Sequence, residues 1–192
     1  VGQVLRRRGS RELAITMDQG GGERDQIFLF DPRNASTRKL SDDQSRNRLL
    51  RWSRDGRRLA FQSTRRNGRS NDLSNMDPER PDNAELLLEA PPGSWYGPAD
   101  FSDDGRLLQV QQFYGVHDTR IHILDLETGS MRLVAGDPDN PSANSAVTFV
   151  RRGIGFYFIT NARGSAAELA WKSLDHDVLA QSLTSSIPWD VT

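Results

Sequence analysis

The chain has 192 residues, of which 35% are apolar and 27% charged, with a formal net charge of −1 and no cysteine. The near balance of charge argues against a dedicated nucleic-acid binder, and the absence of cysteine excludes disulfides and thiolate metal sites. The apolar runs are much shorter than a membrane span, and the first residues, VGQVLRRRGS, lack the apolar region of a signal peptide. We therefore expect neither a nucleic-acid nor a membrane partner, and a cytoplasmic location is favoured.

The first predicted strands lie in the stretches GSRELAIT and IFLFD, where Leu13 and Ile15 stand two residues apart. A second group begins with WSRDGRRLAFQS, in which Leu59 and Phe61 alternate with smaller or polar residues. Apolar residues with a period of two indicate a strand whose two faces differ. The second group predicts four strands, at about 48–52, 57–63, 72–76 and 84–88.

A third group, FSDDGRLLQVQQ, repeats the order of residues in WSRDGRRLAFQS. Gly56 and Gly105 are 49 residues apart, and Asp77 and Asp125, which end the stretches LSNMD and IHILD, are 48 apart. Asp-Gly supplies the positive φ that a tight hairpin turn requires. The interval therefore predicts a repeat of 46 to 49 residues.

Two further copies of the repeat are degenerate. In the first copy, Asp31 ends the strand IFLFD, and Ser10 replaces the turn glycine. In the fourth copy, Gly153 takes the turn position, and Ser173 replaces the final aspartate unless a slip of two residues brings Asp175 there. The segment SAAELAWKSL is the best helical candidate, but its alignment with DTRIHILDL makes it a strand.

Four short strands per repeat are typical of a β-propeller blade. The fold predicted is all-β, a β-propeller of four WD-repeat-like blades at about 1–47, 48–95, 96–144 and 145–184. A β-sandwich is the structural alternative, but nothing in a sandwich explains the interval. Residues 185–192 are predicted to enter a further blade, so we expect an incomplete, open propeller. The uncovered faces of its first and last blades, the open edges of the propeller, predict self-association.

The stretch WSRDGRRLAFQSTRRNGRSNDLSNMD resembles blades of TolB-like propellers and of the propeller of prolyl oligopeptidase-family serine peptidases. Asp55, Gly56, Asp72, Met76 and Asp77 fall on the shared pattern. The stretches GSWYGPADFSDDGRLLQVQQFYGVHDTRIHILDLETG and FITNARGSAAELAWKSL resemble blades of acylaminoacyl-peptidase-like or dipeptidyl aminopeptidase-like members. The resemblance covers about residues 48–192, and residues 1–47 fit only as a weak blade.

The resemblance implies a propeller that narrows the access of peptide substrates to an α/β-hydrolase domain of the same full-length protein. It implies no cofactor. The catalytic serine, aspartate and histidine of that family lie in the hydrolase domain, and no G-x-S-x-G nucleophile elbow occurs in the chain. Two alternatives remain: a TolB-like protein-interaction propeller, which would be periplasmic, and a stand-alone four-bladed binding module. The Glu-Glu pair by which dipeptidyl-peptidase relatives hold a substrate's amino terminus is absent.

Loops between the second and third strands of successive blades are the best candidates for a partner or substrate face. The residues predicted there are Arg65, Arg66, Arg69, Tyr114, His117, Asn161 and Arg163. The arginines suit an acidic partner or a carboxylate, although a solvated loop is the simpler interpretation.

Other candidate sites have simpler structural interpretations. Asp137 and Asp139 have calcium-ligand spacing but are better explained as a solvated turn, and no metal is expected. The histidines, His117, His122 and His176, are interpreted as exposed residues in loops or at strand ends. Trp52 and Phe101 are predicted to pack in the core rather than to stack on a ligand.

Overall fold

The computed structural model of the protein describes residues 2–18, 20–150, 154–164, 166–175, 178–187 and 189–191. These residues form sixteen β-strands and one short 3₁₀ turn, Pro81–Asn83. Among all the described residues, no helix is long and apolar enough to cross a membrane. The chain divides into two compact units, residues 1–98 and 99–192, and the division falls within one strand.

Two four-stranded antiparallel sheets occupy the first half of the chain, and in each sheet every strand pairs with the next along the chain. The first sheet comprises β1 (Val4–Arg6), β2 (Leu13–Met17), β3 (Gln26–Asp31) and β4 (Ser36–Lys39). The second comprises β5 (Asn47–Trp52), β6 (Leu59–Ser63), β7 (Asp72–Met76) and β8 (Glu85–Leu88).

Two further sheets with the same strand order follow. The third sheet comprises β9 (Trp95–Phe101), β10 (Leu107–Gly115), β11 (Asp118–Asp125) and β12 (Met131–Ala135). The fourth comprises β13 (Asn144–Phe149), β14 (Gly155–Thr160), β15 (Glu168–Ser173) and β16 (Gln181–Ser182).

The predicted fold class is confirmed, since the chain is all-β with four four-stranded antiparallel sheets that do not close into a barrel. Each of the four strands predicted for the second copy lies within two residues of its observed bounds. The segment that offered the best helical pattern forms β15, as its alignment predicted. Short strands joined in chain order by tight turns are the arrangement of propeller blades.

The repeated turn motif closes the hairpin between the first two strands of each sheet. In the second sheet the N–H of Ser53 donates to the carbonyl of Arg58. The equivalent bonds join Arg7 to Glu12, Ser102 to Leu107, and Val150 to Gly155. Their first residues are 46, 49 and 48 positions apart. The same five-residue closure in all four sheets therefore confirms the alignment of the repeat.

Serine and aspartate explain the repeated S-x-D-G sequence. The Ser53 hydroxyl donates to Asp55 at 2.7 Å and accepts the N–H of Arg58 at 2.9 Å. Ser102 makes the same bonds to Asp104 at 2.6 Å and to the N–H of Leu107 at 2.8 Å. The serine hydroxyl is the main cause that lowers the pKa of each aspartate. These side chains thus fix the turn in which the glycine adopts a positive φ.

The degenerate copies keep the turn by other means. Ser10 holds the position of Gly56, but the positive φ moves to Gly9, at 72°. In the fourth copy Gly153 lies outside the described residues. Ser173 pairs with Gly155 as Asp125 pairs with Leu107, so the proposed slip to Asp175 does not occur.

A separate apolar core lies in each unit. In residues 1–98, side chains from β2 and β3 pack against those from β5, β6 and β7, and Trp52 is among them. In residues 99–192, side chains from β11 and β12 pack against those from β13, β14 and β15. Trp52 and Phe101 are both buried, which confirms that they serve packing rather than ligand stacking.

Candidate functional site

The turn between β6 and β7 carries the three arginines predicted to face a partner. Arg66 is held by Asp72, with Nε–Oδ2 and Nη2–Oδ1 distances of 2.8 and 3.1 Å, and this pairing is the main cause that raises its pKa. Asp72 is 1% exposed and also accepts the N–H of Ala90. A bidentate pair with a buried carboxylate stabilises the turn, so Arg66 is a structural residue.

Its two neighbours are more accessible. The Nε of Arg65 lies 3.4 Å from Oδ2 of Asp42, which is in the segment that leads into β5. Arg69 is exposed, and its guanidinium makes no ion pair with any residue that the structure describes. Of the three arginines, Arg69 is therefore the one best placed to contact an acidic partner.

Tyr114 and His117 lie at the turn between β10 and β11. The Tyr114 hydroxyl accepts a 2.9 Å bond from the Gln112 amide, and the guanidinium of Arg120 stacks 4.5 Å from the ring centre. His117 is exposed at the tip of the turn. Tyr114 is thus oriented by its own sheet, with one edge open to solvent.

The prediction that His122 is an exposed histidine is wrong. It lies within β11, both of whose faces are covered, and its Nε2 is 2.8 Å from the amide oxygen of Gln112. Burial, with a smaller effect of Arg120, lowers its pKa to about 4. His122 is therefore neutral near pH 7 and serves as an interior hydrogen-bonding group. His176 lies outside the described residues.

Asn161 and Arg163 occupy the turn between β14 and β15. The Asn161 side-chain oxygen accepts the N–H of Ala143 at 2.8 Å, which ties this turn to the start of β13. Arg163 donates to the carbonyl of Ala180, and its Nε lies 3.7 Å from Glu168 Oε1. Asn161 is a structural residue, whereas Arg163 is exposed and remains a surface candidate.

Sequence reasoning missed two buried asparagines at the first residues of β5 and β13. The side-chain oxygen of Asn47 accepts the Ser63 hydroxyl, and that of Asn144 accepts the Thr160 hydroxyl, both at 2.8 Å. Their amide groups donate to the chain two residues earlier, at Ser45 and Ser142. The signal was an S-x-N sequence that recurs after 97 residues, which is two repeats.

The second and fourth sheets therefore share one polar arrangement. In each, a buried asparagine starts the first strand, a hydroxyl ends the second, and an arginine–acid pair spans the next turn: Asn47, Ser63, Arg66 and Asp72 in one, Asn144, Thr160, Arg163 and Glu168 in the other. The third sheet has Gln112, Tyr114 and His122 instead. These networks stabilise the loop ends of the second, third and fourth sheets.

Neither nucleophilic nor metal chemistry is assembled in the part of the chain that the structure describes. Ser70, in the sequence GRSND, bonds only to the Asn67 side chain, at 3.0 Å through its hydroxyl and 2.8 Å through its N–H. Asp137 accepts the N–H of Asp139 at 2.9 Å, as in a turn. Among those residues no group of three or more potential metal ligands is found.

Comparison with known proteins gives structural matches only: no family model and no curated protein matches the sequence. TolB from Acinetobacter baumannii is similar over 95% of this chain, with 15% identity and a TM-score of 0.66. Prolyl oligopeptidase B from Galerina marginata, bound to a 35mer hydrolysis and macrocyclization substrate, is similar over 94%, with 14% identity and a TM-score of 0.67. Puromycin hydrolase is similar over 90%, with 17% identity and a TM-score of 0.67.

The matches cover almost all of this chain but only part of each similar protein. The chain spans 43% of the length of TolB, 28% of the oligopeptidase and 27% of puromycin hydrolase. At these identities the similarity establishes the fold, a β-propeller of the kind found in TolB and in prolyl oligopeptidases. This agrees with the resemblance found in the sequence.

Proposed function

We propose that the chain is the non-catalytic propeller portion of a prolyl oligopeptidase-family serine peptidase. The observation that supports this best is the match of 90–94% of the chain to peptidases of which it spans only 27–28%. The remainder of the full-length protein would then include the α/β-hydrolase domain and its catalytic residues. The sequence motifs shared with such peptidases agree with this assignment.

In this proposal the propeller acts by excluding large substrates. Rigid blades would stand over the hydrolase active site, so that short peptides enter while long polypeptides and folded proteins do not. The exposed loop residues Arg69, Tyr114, His117 and Arg163 supply positive charge and hydrogen-bonding groups. They are the residues that we expect to contact peptide or the hydrolase domain.

The second candidate function is a TolB-like propeller that binds other proteins and has no enzymatic role. It is favoured by the match to TolB, which covers 95% of this chain and 43% of the similar protein, compared with 28% of the oligopeptidase and 27% of puromycin hydrolase. Under this function the same loops would contact a protein partner rather than a substrate.

The two functions are separated by a fluorophosphonate probe applied to the full-length gene product and to the 192-residue chain. Under the peptidase function, the probe labels one serine of the full-length protein and none of the chain. An unlabelled full-length protein with no hydrolase sequence would refute it and favour the TolB-like function. Labelling within the 192 residues would refute both.

Gating is tested by substrate size in full-length protein that has not been treated with the probe, because a labelled serine can no longer react. We expect short peptides to be cleaved and an unfolded protein of more than a hundred residues to be spared. A variant with a loosened propeller, such as Asn144→Ala, should cleave the long substrate faster while its rate on short peptides stays the same. Equal cleavage of both substrates by the unaltered protein would contradict gating.

A further inference from the structure

One interior position of the repeat changes character in the fourth sheet. Strand pairing places Met76 opposite Leu59 in the second sheet and Leu124 opposite Leu108 in the third. Both Met76 and Leu124 are 2% exposed. In the fourth sheet the equivalent pair is Phe156 with Lys172. A lysine therefore stands where the preceding two sheets bury an apolar side chain.

The ammonium of Lys172 has a hydrogen bond but no carboxylate counter-ion among the residues that the structure describes. Its Nζ donates to the carbonyl of Val134 at 2.9 Å, and it forms no ion pair with a carboxylate of any described residue. Arg132 lies on the same side and adds positive charge. Burial first, and then Arg132, lowers the pKa of Lys172. A half-buried cation that lacks a carboxylate partner among the described residues favours an anion beside it.

Beside Lys172 is a cavity of about 390 Å³, between β12 and the fourth sheet within residues 99–192. Its apolar wall includes Val134, Phe158, Ala170 and Leu179, and Arg163, whose Nε lies 3.7 Å from Glu168 Oε1, also lines it. Asp137 also lines the cavity, and its Oδ1 accepts the N–H of Asp139. An apolar wall with a few polar groups is typical of small-molecule sites, and the volume lies in their range.

The equivalent cavity in the second sheet is smaller and differently filled. Its volume is about 260 Å³, and its lining includes Phe61, Arg66, Asp72 and Leu86. There the arginine is neutralised by the bidentate bond to Asp72 at 2.8 and 3.1 Å. Only the fourth-sheet cavity of the two combines an apolar wall with a lysine that lacks a carboxylate partner among the described residues.

We propose that the fourth-sheet cavity binds a small monocarboxylate with an apolar tail. The carboxylate accepts hydrogen bonds from Lys172 and supplies its counter-ion, and the tail packs against Phe158 and Ala170. A free short-chain acid and the carboxyl-terminal residue of a peptide present this same chemistry. The inference is independent of the proposed function, because it concerns a cavity that would exist with or without a hydrolase domain.

The test uses the fact that the chain has only two lysines, Lys39 and Lys172. Reductive methylation with ¹³C-formaldehyde keeps both charges and gives each lysine its own NMR signal. Titration with hexanoate should shift the Lys172 signal and leave that of Lys39, which lies in the first sheet, unchanged. Hexanamide, which has the same tail and no charge, should leave both unchanged. No shift at Lys172 with hexanoate, or an equal shift with hexanamide, would overturn the proposal.

Calorimetry on unmodified protein gives an independent measurement. Lys172→Met, which restores the residue found at Met76, should lower the affinity for hexanoate by at least about tenfold, as loss of one charge-assisted bond predicts. Lys39→Met is the matched control and should bind as the unaltered chain does. Undiminished binding by a folded Lys172→Met variant would overturn the proposal, and the NMR titration decides the question if that variant does not fold.

Binding of a tripeptide that ends in phenylalanine identifies the source of the carboxylate. The tripeptide is titrated once as the free acid and once as the carboxyl-terminal amide. Tighter binding of the free acid than of hexanoate, at Lys172, would identify a peptide terminus. Binding of hexanoate alone would identify a free acid. Binding of the amide as tightly as the acid would contradict a carboxylate site.

Discussion

The side-chain oxygen of Asn47 accepts the hydroxyl of Ser63 at 2.8 Å, and both residues are 1% exposed. The bond joins the start of β5 to the end of β6 beneath the loop end of the second sheet. Because Asn144 and Thr160 repeat it 97 residues later, the bond belongs to the architecture of these blades.

Removing either asparagine should destabilise the chain. Asn47→Ala and Asn144→Ala each leave a buried hydroxyl and backbone carbonyls without their partner, so we expect a loss of about 2–3 kcal/mol in the free energy of unfolding. Asn34→Ala, in an exposed turn, is the control and should cost less than about 1 kcal/mol. Urea denaturation measures all three. Equal losses at Asn34 and Asn47 would contradict the structural role.

The two turn glycines should differ in their tolerance of alanine. Gly56 and Gly105 have the same φ, 71°, so each substitution strains the backbone by about 1 kcal/mol. A β-carbon on Gly56 would also overlap the carbonyl oxygen of Arg8, whereas one on Gly105 meets nothing within 4 Å. We therefore expect Gly56→Ala to cost at least about twice as much as Gly105→Ala. Similar denaturation midpoints for the two variants would contradict this and show that the backbone at Arg8 moves to accommodate the β-carbon.

The sequence was sufficient for the architecture because its signals are local. The S-x-D-G turn and the apolar alternation at Leu59 and Phe61 lie within a dozen residues, and both predict one hairpin. The burial of His122 could not be predicted in the same way. An apolar pattern with a period of two assigns each residue of a strand to one face of the sheet, but it does not show whether another sheet covers that face. The partners of Asn47 were missed because they come from three separate segments.

Gln109 should be replaceable with a gain in stability. It is fully buried, and neither its amide nitrogen nor its amide oxygen has a hydrogen-bond partner among the described residues. The repeat places Ala14 and Ala60 at the same position of the first and second sheets. Since an unpaired buried amide costs about 1–3 kcal/mol, Gln109→Leu should raise the free energy of unfolding by about 1 kcal/mol.

Gln111, two residues along β10, is the matched control. Its amide donates to the carbonyl of Asn144 at 2.8 Å and accepts the N–H of Ala146 at 2.9 Å. Gln111→Leu should therefore destabilise the chain by about 1–3 kcal/mol. A loss at both positions would mean that Gln109 is satisfied by ordered water.

Acid should weaken the fold through His122. Its pKa is about 4 in the folded chain and near 6.5 when unfolded, so the unfolded chain binds the extra proton between these values. The contribution of His122 is complete above about pH 6.5 and is lost as the pH falls toward 4; we expect a loss on the order of 2 kcal/mol. Urea denaturation at pH 7 and pH 5 should show a smaller difference for His122→Phe than for the unaltered chain. An unchanged difference would contradict burial of the neutral imidazole.

The salt-bridged Asp125 does not complicate this comparison. Its pKa is lowered to about 2, chiefly by Arg106, so it affects stability only at lower pH.

Self-association is expected through the face of the fourth sheet that is turned away from the third. Alternation along β15 places Leu169 and Trp171 on this face, opposite the buried Ala170. In the third sheet the equivalent residues, Ile121 and Ile123, are 0% and 3% exposed because the fourth sheet covers them. On the fourth sheet Leu169 and Trp171 are only half-buried.

A second copy of the chain can cover Leu169 and Trp171 as the fourth sheet covers the third. Sedimentation velocity should then show a concentration-dependent dimer, and Leu169→Glu should shift it to monomer while the denaturation midpoint changes little. Met131→Glu, on an exposed edge strand of the third sheet, is the control and should leave the dimer intact. A chain that remains monomeric at every concentration would contradict the prediction and show that this face is stable in water.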